Sequence, residues 1–435
     1  MSTLENIKEQ FQQIHSRKEN SDLKKVELNA FNDLNRLGIP TSRNEEWKYT
    51  RIGSVFNKEF QYAPHIITEI SSVDLDIFRL PGSENANELV FVNGIYNEKL
   101  SVIRSSNLHI EALDKAIHGE YSTLITSHFG NSGKYVKDGI YAMNAAFAEQ
   151  GLFIHLKKGK VAEHPVYIYN VTDNRSVNVL SQPRVFFYLA EHSEIIIAET
   201  YGSLGKEESF TNQVSELIVE KDAIVEYYKI QNDGSFASQV STTHFRQIGK
   251  SNIHSVTISL SGNIVRNNLN ISLEAENSEA NLHGLYFLKG QTHIDNHTVV
   301  DHVKPNCQSN ELYKGIVDNN GTAVFNGKIF VRQDAQKTNA FQSNKNVLLS
   351  DAASVNTKPQ LEIFADDVKC SHGCTVGQLD DEGMFYLRSR GITEKVAQSL
   401  LVHAFAIDIL EHIKLETLRE YVDRLISERL EFEIA

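Results

Sequence analysis

Apolar residues near the N-terminus recur at every third or fourth position, which is the spacing of one face of an α-helix. The pattern predicts one helix within residues 3–17 and a second within residues 21–40, where a glycine and a proline end it. Residues 88–104 alternate between apolar and polar positions, around an Asn-Gly pair that favours a tight hairpin turn. We therefore expect residues 1–150 to form a mostly helical region with a short hairpin.

From residue 151 onward, short segments of alternating apolar and polar residues follow one another, and these segments repeat. Six of them open on a small or turn-forming residue, at Ser193, Asp222, Ser251, Ser278, Gly321 and Asp351. Their starts are 29, 29, 27, 43 and 30 residues apart, and the longest interval suggests an insertion over residues 298–315.

A period near thirty residues, with no helix between the strands, is typical of a solenoid in which each coil buries its apolar face against the next. The sequence therefore predicts a mainly β fold with a right-handed parallel β-helix core over residues 151–378. The alternative is a β-sandwich, in which turns usually recur about every 8–12 residues.

Residues 379–435 are predicted to form a C-terminal helical region with two adjacent amphipathic segments. The first has an N-cap at Thr393 and an apolar stripe formed by Val396, Leu400, Ala404 and Ile407. The second has an apolar stripe formed by Leu415, Leu418, Val422, Leu425 and Ile426. Two such helices at the end of a solenoid either cap it or present a surface to a partner.

The composition narrows the class of protein. Of the 435 residues, 41% are hydrophobic and 23% are charged, as in ordinary soluble globular proteins. The formal net charge of −13 argues against nucleic acid or an anionic membrane as a partner. No apolar run is long enough to span a membrane, the first residues do not resemble a signal peptide, and three cysteines are too few for a disulfide framework. We therefore expect a cytoplasmic protein.

The most concentrated set of candidate metal ligands is the sequence Cys-Ser-His-Gly-Cys at residues 370–374. On a strand, Cys370, His372 and Cys374 share one face, about 6.5–7 Å apart, and sulfur and imidazole suit iron, zinc or the edge of a cluster. A straight strand holds these side chains too far apart for one ion, and a fourth ligand is missing. Two interpretations stay open: small cysteines that fill a narrow β-helix interior, or part of a site that a second chain completes.

A second candidate is a histidine-rich stretch that contains His283, His293, His297, His302 and Cys307. It is strand-like and lacks the helical setting of a zinc protease motif, so we expect most of these residues to be hydrogen-bonded polar positions. Asp295 and Asp301 are candidates for the paired carboxylates of a sugar-processing enzyme. The only tryptophan, Trp47, is expected to be a core anchor.

Four segments of the sequence together resemble one protein family: residues 43–50, 301–317, 342–377 and 381–392. They resemble the SufB/SufD family of iron–sulfur cluster assembly proteins, and the resemblance spans nearly the whole chain. The chain resembles the SufD type rather than the SufB type. SufB-type chains have a cysteine where this chain has Ala353, and a glutamate where this chain has Gly373 after His372.

The resemblance implies a non-catalytic subunit of a SufBCD-type assembly complex. The implied partners are a SufB-like paralogue, paired through the β-helix ends, and a SufC-like ABC ATPase, which hydrolyses ATP and docks on the C-terminal helices. A transient iron–sulfur cluster would be shared with the SufB-like partner, with His372 and Cys370 as ligands, and no cofactor would be tightly bound to the isolated chain. The implied ATPase contacts are Thr393, Val396, Leu400, Leu401 and Ala404.

Two other interpretations stay open from the sequence. The chain could form a metal-free structural homodimer, particularly when it is isolated. It could also be a β-helix protein that binds or processes polysaccharide, although such a protein usually has a secretory signal.

Overall fold

The computed structural model describes residues 3–15, 22–62 and 69–430, and β-strands dominate this part of the chain. A parallel β-solenoid of about eight turns lies between helical N- and C-terminal regions, which confirms the fold class predicted from the sequence. Among the residues described, no helix is long and apolar enough to cross a membrane.

The helices lie on either side of the solenoid in the sequence. Those on the N-terminal side are α1 (Thr3–His15), α2 (Asp22–Leu37), α3 (Ser72–Asp76), α4 (Leu113–His118), α5 (Ser122–His128) and α6 (Gly139–Ala145). Those on the C-terminal side are α7 (Asp381–Ser389), α8 (Glu394–Leu410) and α9 (Glu416–Arg429). Short 3-10 helices occupy Glu45–Trp47, Ile52–Asn57, Ser83–Asn85, Asn131–Lys134 and Ala148–Gln150.

The strands become longer and more regular along the chain. The early ones are β1 (Gln61–Tyr62), β2 (Asn87–Val92), β3 (Ile95–Tyr96), β4 (Leu108–Ala112), β5 (Leu152–Leu156), β6 (Val166–Thr172), β7 (Val179–Ser181) and β8 (Arg184–Leu189). The middle ones are β9 (Glu194–Ser203), β10 (Ser209–Val219), β11 (Ile224–Asn232), β12 (Ala237–Gln247), β13 (Asn252–Ser261), β14 (Ile264–Leu273) and β15 (Glu279–Leu288). The last ones are β16 (His293–His302), β17 (Gln308–Val317), β18 (Thr322–Val331), β19 (Asn339–Leu348), β20 (Ser354–Ile363) and β21 (Lys369–Gly377).

Successive solenoid strands alternate between two sheets, so that two strands make one coil. The first sheet contains the even-numbered strands from β8 to β20, and the second contains the odd-numbered strands from β9 to β21. Within each sheet, a strand pairs in parallel with the strand one coil earlier, as β21 does with β19. The backbone hydrogen bonds of the core therefore run between coils.

The interval of 43 residues in the sequence repeat is not an insertion, contrary to the sequence prediction. Residues 298–315 contain the end of β16 and most of β17, and β17 is the next strand of the second sheet after β15. The segments that begin at Gly321 and Asp351 lead into β18 and β20, which belong to the first sheet. Strands of both sheets have similar alternating patterns, so the apparent repeat moves from one sheet to the other.

Apolar side chains fill the solenoid and also cover two of its outer surfaces. The interior includes Ile154, Phe187, Ile197, Leu217, Val225, Leu282 and Phe325. The N-terminal region covers the outside of the first sheet, where Phe11, Leu34 and Trp47 share a cluster with Phe210 and Val240. The helices α8 and α9 cover the outside of the second sheet, where the packed residues include Val256, Leu285, Val402, Ile409, Leu418 and Val422. Burial of this apolar surface is the main force that stabilises the fold.

Trp47 anchors the N-terminal region to the solenoid, as predicted, and only 1% of its surface is exposed. Its indole Nε1 donates a hydrogen bond to Asp138 at 3.0 Å. The guanidinium of Arg266 on β14 lies 3.9 Å from the ring centre, a cation–π contact that ties this region to the first sheet.

The predicted hairpin is also confirmed, because β2 and β3 pair antiparallel. Gly94 in its turn has φ +83°, and a Cβ there would lie 2.5 Å from the backbone nitrogen of Gln182, so the turn requires glycine. β2 pairs in parallel with β6, so this hairpin extends the second sheet. The division of the chain at residues 150 and 378 stays a prediction.

Candidate functional site

The predicted ligand segment lies on β21, the last strand of the second sheet. Every second residue of β21 pairs with a β19 residue that is buried in the solenoid. The pairs are Cys370 with Ala340, His372 with Gln342, Cys374 with Asn344 and Val376 with Asn346. Paired residues of parallel strands point the same way, so Cys370, His372 and Cys374 share one face, as predicted. We call the four inward-facing residues of β21 the terminal row.

The terminal row lies at an open end of the solenoid. β20 and β21 are edge strands of the two sheets, and no further coil of the described chain stacks on them. His372 and Cys374 are therefore exposed, whereas Cys370 is half-buried against the apolar interior. At the end of β20, Ile363 and Phe364 expose 40% and 57% of their surface. Two uncovered edge strands with exposed apolar residues form a surface with which another chain can pair.

A column of buried polar residues runs inward from His372. Gln342 lies one coil below His372, and Glu311 lies one coil below Gln342. Nε2 of Gln342 donates to Oε2 of Glu311 at 2.7 Å. Glu311 and Gln342 were not predicted as part of the site. Their spacing could have indicated it, because Gln342 follows Glu311 by 31 residues and His372 follows Gln342 by 30, which is the coil period.

Glu311 should make the stability of the protein depend on pH. Burial raises the pKa of its carboxyl to about 7, from the 4.5 of an exposed glutamate. Between these two values the folded protein keeps a proton that the unfolded chain has lost, so this carboxyl lowers the free energy of unfolding as pH rises. Above pH 7 the accumulated penalty is about 3 kcal/mol.

The measurement is urea unfolding of the wild type and of the Glu311→Gln variant at pH 5 and pH 8. An uncharged amide of the same shape avoids the penalty, so we expect similar stability at pH 5 and a variant more stable by about 3 kcal/mol at pH 8. The comparison between the two proteins cancels the other titrating groups. An equal stability difference at both pH values would show that Glu311 does not carry this proton.

The three cysteines occupy different environments, and each is free. Cys307 is fully buried in the solenoid core, where its thiol donates to the carbonyl oxygen of Ala275 at 3.2 Å, so it fills the interior. Burial raises the pKa of both the Cys307 and the Cys370 thiols. Cys370 is thus a protonated thiol at neutral pH until a metal or a cationic neighbour displaces its proton.

The histidine-rich stretch is spread over β15, β16 and the connection before β17, and its two aspartates are held in separate ion pairs. Asp295 pairs with Arg266 at 2.8 Å, and Asp301 pairs with Arg332 at 2.8 Å. Six residues along β16 separate the two carboxylates by about 20 Å. Paired glycosidase carboxylates lie about 5–9.5 Å apart, so these two do not form such a pair.

The helix α8 has two apolar faces, and the stripe predicted from the sequence is the outward one. Thr393 caps the helix, since its side chain accepts a hydrogen bond from the backbone nitrogen of Val396. The exposed positions are Thr393, Val396, Leu400, Ala404 and Ile407, and Leu401 is half-buried. The buried positions include Ala397, Val402, Ala406 and Ile409. The stripe predicted on α9, by contrast, is buried through Leu418, Val422 and Ile426. A helix that is apolar on both faces is typical of an element that is covered on both sides.

Two models of protein families match this chain. Residues 170–405 match the SufBD core domain of the SUF system for FeS cluster assembly, and residues 2–168 match the SufBD protein N-terminal region. The chain belongs to the SufBD family. The resemblance stated from the sequence is thereby confirmed.

Individual relatives of this SufBD chain are similar over most of their length. The iron–sulfur cluster assembly protein SufD of Escherichia coli is 32% identical over 402 residues, which are 91% of this chain and 90% of that protein. An iron–sulfur cluster assembly SufBD family protein of Synechocystis is 30% identical over 91% of this chain and 88% of its own length. The chloroplastic protein ABCI7 of Arabidopsis thaliana is 29% identical over 88% of this chain and 80% of its own length.

Proposed function

We propose that this chain is the SufD-like subunit of a SufBCD-type iron–sulfur cluster assembly complex in the cytoplasm. It pairs with a SufB-like paralogue through the open end of the solenoid, and a SufC-like ABC ATPase docks on its C-terminal helices. The similarity to Escherichia coli SufD, which is named as an iron–sulfur cluster assembly protein, supports this assignment.

The observation that carries the proposal is the terminal row at an uncovered solenoid end. The row faces inward but is open to solvent, so a partner strand or coil stacked on β20 and β21 would enclose it. His372 supplies an imidazole and Cys370 a thiol, both of which suit iron. The partner would supply the remaining ligands of a nascent cluster, which is the cargo of the complex and not a resident cofactor.

The role we assign to this chain is non-catalytic, and ATP hydrolysis belongs to the ATPase. Motion of docked ATPase subunits would reach the terminal row through α8, which is fastened to the second sheet. Nζ of Lys314 on β17 donates to the carbonyl oxygen of Phe405 at 2.9 Å and pairs with Asp408, both on α8. β17 lies two strands from β21 in that sheet, so a shift of α8 would be transmitted to the open end through β19 alone.

The test is anaerobic co-expression of this chain with a SufB-like and a SufC-like protein, followed by native mass, iron and sulfide analysis. We expect one copy of this chain, one SufB-like chain and two ATPase subunits. The His372→Ala complex should keep that mass but lose most of its iron. Loss of a residue that only supports a metal ligand lowers metal affinity about 10–100-fold, and loss of the ligand itself should lower it at least as much. The exposed histidine His118, on α4, gives the control variant His118→Ala, which should keep the wild-type iron content.

Two results would contradict the proposal. Wild-type iron content in the His372→Ala complex would remove His372 from the cluster site. Purification of this chain alone, with neither partner nor iron in the co-expression, would favour the metal-free homodimer.

A further inference from the structure

Three histidines from distant parts of the sequence converge where the solenoid meets the C-terminal helices. His254 lies on β13, His283 lies on the neighbouring strand β15, and His412 lies in the connection between α8 and α9. One ring nitrogen of each lies within 4.8 Å of the others. The His283 and His412 rings stack with their centroids 3.5 Å apart, and the His254 ring lies 5.2 Å and 5.8 Å from them.

Strand register places two of these histidines on the same surface. His254 and Val256 are two residues apart on β13, and His283 and Leu285 are two residues apart on β15, so the members of each pair point the same way. Val256 and Leu285 pack in the cluster beneath α8 and α9. The helices therefore bring His412 over the face of the second sheet that carries the other two histidines.

A carboxylate on the next strand orients His254. Oε2 of Glu226 on β11 lies 2.7 Å from Nδ1 of His254, so we assign the proton to Nδ1 and the lone pair to Nε2. Glu226 also pairs with Lys414, whose backbone nitrogen donates to the Tyr228 hydroxyl at 3.0 Å. A carboxylate behind a histidine is the usual support of a metal-ligating imidazole, and the same group holds the connection that carries His412.

His283 distinguishes this trio from ordinary aromatic packing. Its side chain is 6% exposed, and its Nδ1 is buried without a hydrogen-bond partner in the described part of the chain. Buried polar atoms are normally satisfied, so an unpaired ring nitrogen indicates a missing partner. Burial, together with His412 and His254, lowers the pKa of His283 to about 3, which leaves the ring neutral and able to donate a lone pair at physiological pH.

We propose that His254, His283 and His412 bind one divalent transition-metal ion of the zinc class. Three imidazole nitrogens suit Zn²⁺, Co²⁺, Ni²⁺ or Fe²⁺, whereas Mg²⁺ and Ca²⁺ require oxygen ligands. Zn–N bonds of about 2.0–2.1 Å place the nitrogens of a tetrahedral site about 3.4 Å apart. Binding therefore tilts the His412 ring out of its stack and draws the three nitrogens together. The fourth position stays open to water or another small ligand.

A metal ion at this position would fasten the connection between α8 and α9 to the second sheet. Two of its ligands belong to the solenoid and one to the helical region, so loss of the ion loosens the junction without opening the core. None of the three histidines belongs to the terminal row, and their binding of a metal ion does not depend on cluster assembly. It can therefore be tested on the isolated full-length chain.

The test uses chain treated with chelator, titrated with Zn²⁺ by calorimetry and with Co²⁺ by visible absorption. We expect one ion per chain, the intense d–d bands of tetrahedral cobalt, no binding of Mg²⁺, and a melting temperature raised by about 2–5 °C at saturating Zn²⁺. His412→Ala and His254→Ala should each weaken Zn²⁺ binding at least about tenfold. The matched control is His403→Ala, because His403 lies on α8 and is bonded to Asp423 instead, and it should bind like the wild type.

The cobalt spectrum is measured on the wild-type chain, so the result does not depend on whether a variant folds. Absence of stoichiometric binding by the wild type would overturn the proposal. Octahedral cobalt bands, or Zn²⁺ affinity that His412→Ala and His254→Ala leave unchanged, would do the same.

Discussion

Replacing Arg184 by alanine should lower the free energy of unfolding by about 3–5 kcal/mol, because it leaves a buried carboxylate without its counter-ion. Arg184 on β8 and Glu216 on β10 each expose about 2% of their side chains, and their charged groups lie 2.8 Å apart. The guanidinium also donates to Oδ1 of Asn144 at 3.0 Å and lies 4.5 Å from the ring centre of Phe129. The side chain therefore joins neighbouring coils of the first sheet to the N-terminal helical region.

The measurement is urea unfolding followed by circular dichroism, with two further variants. Arg36→Ala removes an exposed arginine that pairs with Asp33, and it should cost less than about 1 kcal/mol. The double variant Arg184→Met/Glu216→Gln removes both charges and keeps an oxygen that accepts from the Ser132 backbone nitrogen, so it should recover most of the loss. If Arg184→Ala is no more costly than Arg36→Ala, or if the double variant is as unstable as the single one, the buried charge is not the cause.

The sequence predicts the fold to the extent that it reveals the repeat of the coils. A period near thirty residues without helices predicted a parallel β-helix core, and the structure confirms it. The sequence could not show which strand belongs to which sheet, because strands on both sides of a flattened coil alternate in the same way. The 43-residue interval that ends at Gly321 therefore connects a strand of the second sheet to a strand of the first. The strand that continues the second sheet is β17, which starts at Gln308.

The terminal row was only partly predictable from the sequence. The two-residue period of a strand placed Cys370, His372 and Cys374 on one face. Whether that face is buried depends on whether another coil follows, and this is a property of the whole fold. The trio of His254, His283 and His412 had no signal in sequence spacing, since folding the C-terminal helices back onto the second sheet creates it.

The two apolar stripes of α8 show a similar limit of sequence reasoning. A stripe that contains Val396 and Leu400 indicates a covered face, but a second stripe through Val402 and Ile409 fits the same helical period. The structure buries the second stripe against the sheet and leaves the first outward. None of the residues that the structure describes covers the outward stripe, so we expect the proposed ATPase to dock there.

Leu400→Asp should therefore weaken binding of the SufC-like ATPase by about 100-fold or more, since a charge placed inside an apolar contact costs several kcal/mol. Leu400 lies within the outward stripe and is 38% exposed, so the substitution changes the contact surface more than the core. The measurement is the dissociation constant of the purified chain and ATPase, by calorimetry. The matched control is Val73→Asp, which introduces the same charge on α3 at an apolar residue that is 72% exposed.

The melting temperature of each variant separates loss of docking from loss of folding. We expect Leu400→Asp to melt within a few degrees of the wild type while ATPase binding falls, and Val73→Asp to keep both properties. ATPase binding of wild-type strength by a folded Leu400→Asp chain would move the docking site off this stripe. The neighbouring helix α7 would then be the next surface to test, because its Phe385 and Tyr386 expose 75% and 57% of their surface and form another apolar patch in the described part of the C-terminal region.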